Sequence, residues 1–144
     1  MTLDSIKISP YELTFKKEYL NSKFSILSRY GWIINISSNG VNGYGDCCPL
    51  EGFSEESYEQ SGYGLEGFKL SIDKTKEIDF DELMHLAEAH GESQPSVQFA
   101  IESAVYDLHS KLNEMSLNKF INKDEIDFLV DALKNSITKV EEEI

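Results

Sequence analysis

The alternation of apolar and polar residues over the first 47 positions predicts a set of β-strands. In the predicted first strand, apolar side chains recur with a spacing of two on either side of a proline, at Ile6, Ile8, Tyr11, Leu13 and Phe15. Pro10 lies between the two halves of this pattern. Because proline cannot donate a ladder hydrogen bond, it predicts a kink or bulge on an edge strand.

Two further strands are predicted after a polar connection over residues 16–28. The first is an apolar run at residues 31–36, and the second returns from residue 41 to residue 47. Asn39 and Gly40 lie between them and form a strong hairpin signal, because both residues tolerate a positive φ angle. The pattern therefore predicts a three-stranded antiparallel β-meander.

From Ser54 onward the apolar spacing becomes helical. Ser54 is expected to cap a first helix, with Glu55 and Glu56 in its first turn. Glycines at positions 62, 64 and 67 are expected to break or shorten this helix, since each costs about 1 kcal/mol relative to alanine. A second helix is predicted over residues 80–90 and ends at Gly91.

The third and fourth helices complete the predicted fold. Ser93 is expected to cap the third, with Pro95 in its first turn. Its apolar stripe consists of Val97, Ile101, Ala104, Val105, Leu108 and Leu112. The last helix begins near Asp124, and its apolar residues alternate spacings of three and four: Val130, Leu133, Ile137, Val140 and Ile144. Strands followed by a helical bundle predict the α+β class, with a domain over residues 1–120 and an additional amphipathic helix over residues 121–144 packed on it.

The charge and hydropathy of the chain argue against two classes of partner. Thirteen Lys and Arg against 26 Asp and Glu give a formal net charge of −13, which repels nucleic-acid phosphates and anionic lipid. No stretch reaches the roughly 20 apolar residues that span a bilayer, and the first ten residues lack the basic start and apolar run of a signal peptide. We therefore expect no nucleic-acid partner, no membrane partner and a cytoplasmic location.

The residue types that carry chemistry do not form a catalytic pattern. Cys47 and Cys48 are adjacent, so they point to opposite faces of the predicted strand and match neither a zinc-ligand pair nor a Cys-x-x-Cys redox pair. His85 and His90 are five residues apart, whereas two ligands on one helix face are four apart. His109 lies on a third predicted helix. We therefore expect no catalytic residue and no metal site within this chain.

Two segments of the chain together resemble one protein family. They are GYGDCCPLEGFSEE at residues 43–56 and PSVQFAIESAVYDL at residues 95–108. In this order and at this separation they resemble the N-terminal capping domain of the enolase superfamily, within its muconate-lactonizing subgroup and nearest to the o-succinylbenzoate synthases. The resemblance runs from about residue 6 to residue 117.

The resemblance implies a domain that covers the open end of a (β/α)-barrel and shapes specificity. In such enzymes the barrel carries the acid/base lysines and binds Mg²⁺ through three acidic residues, and the synthases perform a Mg²⁺-dependent dehydration in menaquinone biosynthesis. A barrel needs about 200 further residues. The chain is therefore expected to be part of a lyase or isomerase that binds no cofactor itself, is inactive alone and has a catalytic barrel as its partner in cis or in trans.

The same resemblance implies that two loops close over the substrate. The first corresponds to residues 16–28 and the second to the segment that follows the third strand. The candidate substrate-facing residues are Tyr19, Leu20 and Phe24 in the first loop and Leu50, Gly52 and Phe53 in the second.

A second hypothesis places the chain in a different class, as a stand-alone interaction module. In this case the last helix covers the surface left without a barrel, or the chain self-associates through that exposed face. A stable monomer that binds no hydrophobic dye favours this hypothesis. A third hypothesis is an independent enzyme that uses His85, His90 or the cysteines.

Overall fold

The computed structural model describes residues 1–20 and 25–143, except for the side chains of residues 125 and 126. The strands are β1 (Ser5–Leu20), β2 (Ser25–Ser38) and β3 (Val41–Cys47), and the helices are α1 (Tyr58–Ser71), α2 (Phe80–Gly91), α3 (Pro95–Leu112), α4 (Leu117–Ile121) and α5 (Lys123–Glu143). The three strands form one antiparallel sheet with β2 in the centre. The predicted α+β class and the predicted meander are therefore confirmed.

The turn between β2 and β3 consists of Asn39 and Gly40, as the sequence predicts. Their φ angles are 50° and 73°, and Ser38 pairs with Val41 on either side of them. A two-residue turn of this kind needs left-handed backbone at both positions, so this pair determines the register of the hairpin.

The connection between β1 and β2 is shorter than the predicted loop over residues 16–28. Tyr19 pairs with Ile26 and Leu20 pairs with Ser25, so the two strands continue to residue 20 and resume at residue 25. The polar side chains of this segment are compatible with a strand because the hairpin extends beyond the core, where the residues of β1 are exposed.

β1 is an edge strand, as predicted, but its ladder has no bulge at Pro10, contrary to prediction. Pro10 pairs with Trp32 in a register that runs unbroken as far as Thr14, and the irregularity in the ladder lies between Thr14 and Tyr19. Proline is tolerated at this position because β1 is an edge strand and has a partner on one side alone.

The hydrophobic core lies between the sheet and the first three helices. The fully buried residues of α3 are Val97, Ala100, Ile101, Ala104, Val105 and Leu108. The core also contains residues of β2, α1 and α2: Ile34, Ile36, Leu65, Phe68, Leu83 and Ala87. The predicted stripe on α3 is thus confirmed, although Leu112 at its end is only partly buried.

Helix α3 packs closely on β3 because two glycines of the strand face it. A Cβ atom at Gly43 would lie 2.6 Å from the Cβ of Leu108, and one at Gly45 would lie 2.7 Å from the carbonyl carbon of Ala100. These distances leave no room for a side chain at either position. The end of β3, from which the next loop departs, is therefore held directly against the helix backbone.

Helix α1 is continuous and begins three residues later than predicted. Its cap is Ser57 rather than Ser54, and reciprocal hydrogen bonds join Ser57 to Gln60. The glycines do not break the helix, contrary to prediction. Gly62 lies against the indole of Trp32, where a Cβ atom would be 2.7 Å from ring carbon Cζ2, so close packing offsets the low helix propensity of glycine.

The next two helices begin at or close to their predicted positions. α2 spans Phe80–Gly91, and its N terminus is capped by reciprocal hydrogen bonds between Asp79 and Glu82. α3 begins at Pro95, but its cap is Gln94 rather than Ser93, and the Gln94 side chain makes no capping hydrogen bond. The first amides of α3 therefore need an acceptor from elsewhere in the fold.

Helices α4 and α5 follow the core. α4 was not expected from the sequence, and its Phe120 packs edge-on against Phe80 with ring centroids 5.7 Å apart. α5 contacts α4, and its apolar residues, including Leu133 and Ile137, are exposed. The packing of residues 121–144 on the domain stays a prediction.

Within the described residues, none of the helices combines the length and the apolar character that a membrane crossing requires.

Candidate functional site

A cleft of about 560 Å³ lies between the β1–β2 hairpin and the segment that joins β3 to α1. We refer to residues 48–57 as the β3–α1 loop. On the hairpin side the cleft is lined by Ile26, Ser28, Arg29 and Tyr30. On the other side it is lined by residues 49–52 and 54–60, which belong to this loop and to the first turn of α1.

Hydrogen bonds around Leu50 hold the β3–α1 loop in a tight turn. The N–H groups of Phe53 and Ser54 donate to the Leu50 carbonyl oxygen at 3.0 and 2.9 Å, and the Leu50 N–H donates to Ser54 Oγ at 2.8 Å. Gly52 has a φ angle of 86°, a left-handed conformation that glycine adopts without strain. Ser54 therefore closes this turn instead of capping α1.

Arg29 joins the hairpin to the start of the loop. Its Nη2 donates a hydrogen bond of 2.8 Å to the carbonyl oxygen of Cys48, and the Cys48 thiol lies 3.5 Å from the carbonyl oxygen of Tyr30. β2 thereby determines where the loop leaves β3. The Nε atom of Arg29 is buried and has no hydrogen-bond partner among the described residues.

Glu56 joins the end of the loop to α3. Its side chain is buried, with 6% of the residue exposed, and its Oε1 accepts hydrogen bonds from the Ser96 backbone N–H at 2.8 Å and from the Ser96 hydroxyl. Ser96 lies in the first turn of α3. Glu56 therefore supplies the acceptor that Gln94 does not, and its negative charge lies at the positive end of the helix dipole.

The surroundings of Glu56 favour its ionised form. Burial raises the pKa of this carboxyl group, but hydrogen bonds from the Ser96 hydroxyl and from backbone N–H groups lower it by more. The net result is a pKa below the ordinary value of a glutamate.

The lowered pKa predicts that Glu56 stabilises the fold at neutral pH but not in acid. A group with a lower pKa in the folded chain contributes stability above its unfolded pKa, here 4.5, and loses that contribution as the pH falls through the folded pKa. Glu56→Gln is expected to lower the free energy of unfolding at pH 7 by about 1–3 kcal/mol and to make it less dependent on pH below 4.5. Urea unfolding in neutral and acidic buffer measures both effects.

Glu55→Gln is the matched control for this experiment. Glu55 is adjacent and exposed, so its replacement removes the same charge without removing the bonds to α3. If Glu56→Gln keeps the pH dependence of the unchanged chain, then the carboxyl of Glu56 does not cap α3 as described.

Three aromatic rings pack together beside the cleft, and two of them are stacked. The rings of Trp32 and Tyr58 are parallel to within 7°, with centroids 4.5 Å apart, and Trp32 Nε1 donates to the Tyr58 carbonyl oxygen at 3.0 Å. The Tyr30 ring lies 5.9 Å from that of Tyr58.

The sequence did not indicate that Tyr30, Tyr58 and Arg29 line the cleft. Arg29 is the one charged residue of β2, and this was the one local signal that could have indicated it.

The structure brings two of the six predicted site residues, Leu50 and Gly52, into the cleft. Phe53 lies at the turn of the β3–α1 loop and is 62% exposed. Tyr19 and Leu20 belong to the end of β1 rather than to a loop, and both are exposed. The sixth residue, Phe24, lies outside the described residues. Contact of these residues with a substrate stays a prediction.

The cysteines do not act together in the described structure. Cys47 is buried, with Sγ 3.6 Å from Ser96 Oγ, and burial raises the pKa of its thiol. Cys48 lies on the opposite face, beside Tyr30. Among the described residues, no group of three His, Cys, Asp or Glu side chains is close enough together to hold a metal ion. These residues therefore contain no ligand set for Mg²⁺.

Two comparisons by sequence relate this chain to known proteins. Residues 3–108 match the family model "MenC, N-terminal domain". The o-succinylbenzoate synthase of Photorhabdus laumondii is 32% identical over 88 residues, which cover 60% of this chain and 24% of that protein. The o-succinylbenzoate synthase of Vibrio cholerae is 27% identical over 104 residues, which cover 72% of this chain and 28% of that protein. The match thus spans about a quarter of the length of these relatives.

A solved structure shows the same fold. The dipeptide epimerase from Enterococcus faecalis, in complex with Mg and the dipeptide L-Leu-L-Tyr, superposes with a TM-score of 0.70 over 81% of this chain and 33% of that one. Its sequence identity is 20%, so the likeness concerns the fold alone.

Proposed function

Because the chain belongs to the family of MenC N-terminal domains, we propose that it is the capping domain of an o-succinylbenzoate synthase-like enzyme. One observation carries this proposal: the family match over residues 3–108 includes the whole β3–α1 loop, which lines the cleft. A loop at this position is what the resemblance assigns to the closure of a substrate pocket.

In this proposal the domain positions the substrate and excludes water. Leu50, Gly52 and Phe53 form the tip of one closing segment, and the end of the hairpin, with Tyr19 and Leu20, forms the other. Arg29 and Glu56 hold the two ends of the β3–α1 loop against β2 and α3. A loop held at both ends loses little further conformational entropy when it closes, which favours specific binding.

The chemical steps belong to a catalytic barrel in cis or in trans. The barrel would supply the acid/base lysines and the acidic ligands of Mg²⁺, which stabilises an enolate when bound. The described residues of the cap supply no comparable ligand set. The exposed apolar residues of α5 provide a surface for contact with another copy of the chain.

A chimeric enzyme tests the proposal. In it, residues 3–108 replace the matching region of the synthase from Photorhabdus laumondii. The chimera is expected to dehydrate the synthase substrate with a kcat/KM about tenfold or more above that of the isolated barrel, because closure orients the substrate and excludes water. The 144-residue chain alone is expected to show no activity.

Leu50→Asp in the chimera places a charge in the cleft. This variant tests whether the gain in kcat/KM depends on the β3–α1 loop. It is expected to return kcat/KM toward the value of the isolated barrel. Dehydration by the chain alone contradicts the proposal, and so does a folded chimera that is no more active than the barrel.

A further inference from the structure

Helix α5 carries an apolar stripe that the described part of the chain leaves exposed. Val130, Leu133, Ile137 and Val140 alternate spacings of three and four along the helix, and they are 43–63% exposed. The remaining side chains that the structure describes in α5 are exposed as well. In proteins, most of the stability of a helix comes from the packing of its apolar face. The stripe therefore indicates that α5 packs against another element or another molecule.

The spacing of this stripe suits a second helix of the same kind. Apolar residues that recur every 3.5 residues on average form the seam of a coiled coil, and β-branched residues that alternate with leucine favour two strands. Val130 and Ile137 are β-branched, and Leu133 lies between them. A second copy of α5 carries the same stripe over the same 21 residues, so it matches this helix in length and spacing.

Charged residues beside the stripe distinguish between the alignments that two such helices can adopt. Asp127, Lys134 and Glu141 lie seven positions apart along one side of the stripe and are exposed. In a fully overlapping antiparallel pair, Lys134 lies beside Lys134 of the second copy and Asp127 lies beside Glu141, so like charges repel. In a parallel pair, Lys134 lies beside Leu129 of the second copy, and the glutamates at residues 141–143 of the two copies lie side by side. Neither alignment brings opposite charges together beside the stripe.

A third alignment, antiparallel and shifted along the stripe, does bring opposite charges together. Val130 of each copy then packs against Leu133 of the other, and Asp127 of each copy lies beside Lys134 of the other. Neither Asp127 nor Lys134 belongs to an ion pair found in the described part of the chain. Complementary charges beside an apolar seam select the partner and its orientation.

We propose that two copies of this chain pair through α5 in the shifted antiparallel alignment. Two opposite-charge pairs flank the stripe, and the glutamates at residues 141–143 lie opposite residues 120–122, which carry no charge. The partner is therefore a second copy of the chain, and the pairing does not depend on the proposed function.

Sedimentation equilibrium of the full chain over a range of concentrations tests the proposal. The chain is expected to form dimers with a Kd in the micromolar range, because the stripe is short. Leu133→Asp is expected to raise the Kd about 100-fold or more, since it would bury one charge in each helix of the pair. Because Leu133 is exposed in the single chain, this variant is expected to leave the fluorescence of Trp32 unchanged.

Charge reversal tests the alignment. Asp127→Lys and Lys134→Asp are each expected to raise the Kd about fivefold or more, because two opposite-charge pairs become two like-charge pairs. The variant with both changes is expected to restore the Kd to within about twofold. Asp127 and Lys134 are about 10 Å apart along one helix, so a rescue of this kind reports contact between the two copies. Lys139→Asp is the matched control, since it makes the same change of charge away from the stripe and is expected to leave the Kd unchanged.

Four results would overturn the proposal. A monomer at every concentration would mean that no second copy covers the stripe, and a dimer with an unchanged Kd in Leu133→Asp would place the interface elsewhere. A variant with both charge reversals that is no tighter than either single variant would exclude the shifted alignment. An equal effect of Lys139→Asp and Lys134→Asp would assign the change in Kd to net charge alone.

The outcome is separable from the test of the proposed function. The chimera contains residues 3–108 and lacks α5, so its activity does not depend on this pairing. A monomeric chain alongside an active chimera removes this inference alone, whereas an inactive chimera removes the proposed function.

Discussion

Gly45→Ala is expected to lower the free energy of unfolding by about 3 kcal/mol or more, or to prevent folding. A Cβ atom at this position would overlap the carbonyl oxygen of Ala100 and lie 2.7 Å from its carbonyl carbon. Both atoms belong to the backbone of a buried helix, so neither can move aside as a flexible side chain can. β3 and α3 would have to separate, and their separation would open the core and displace the start of the β3–α1 loop.

Gly40→Ala is the matched control for Gly45→Ala. Nothing lies within 4 Å of a Cβ atom at Gly40, but its φ angle is 73°, and an alanine in that conformation costs about 1–2 kcal/mol. Urea unfolding followed by the fluorescence of Trp32 measures both variants. Equal stability of the two would show that α3 does not lie against β3 as described.

Phe68→Ala is expected to lower the free energy of unfolding by about 3–5 kcal/mol. Phe68 is fully buried where α1 meets the core, and its ring contacts the edge of His90 with centroids 6.1 Å apart. Replacement by alanine removes apolar contacts and leaves a cavity between α1 and α2. Because the first turn of α1 lines the cleft, we also expect the amide signals of residues 57–60 to broaden.

Leu70→Ala is the control for the Phe68 variant. Leu70 lies two positions further along α1 and is 82% exposed, so its truncation is expected to change stability by less than about 0.5 kcal/mol. Thermal and urea unfolding of both variants provide the comparison. A Phe68→Ala protein as stable as Leu70→Ala would mean that α1 is not anchored in the core.

Elements with strong local signals could be predicted from the sequence. Asn39 and Gly40 specify a tight turn through their own backbone preferences. The stripe on α3 identifies its buried face because residues three and four apart share one side of a helix. The extent of the β1–β2 hairpin could not be predicted in the same way, since polar residues in an exposed hairpin resemble those of a loop.

Two predictions were wrong because the residue type alone does not specify what a residue contacts. Gly62 lowers helix propensity locally, but the indole of Trp32, 30 positions earlier in the sequence, occupies the space that a side chain would need. Ser54 has the residue type of a helix cap, yet it bonds to Leu50 and leaves the cap to Ser57. In each case the sequence showed the preference of the residue type but not which residue it contacts.

The same distinction separates the residues of the candidate site that the sequence identified from those that it did not. Leu50 and Gly52 could be named because they lie within a segment that resembles a family. Arg29 and Glu56 could not, because their importance comes from single hydrogen bonds to Cys48 and Ser96.

The sequence by itself determined the α+β class, the order of the main elements and the family, because these depend on local periodicity and on two short segments. Only the tertiary structure decided the shape of the cleft and the groups that line it. The bonds that hold its loop join residues 19 and 40 positions apart. They form only once the pairing of β2 with β3 and the close approach of β3 to α3 have brought their partners together.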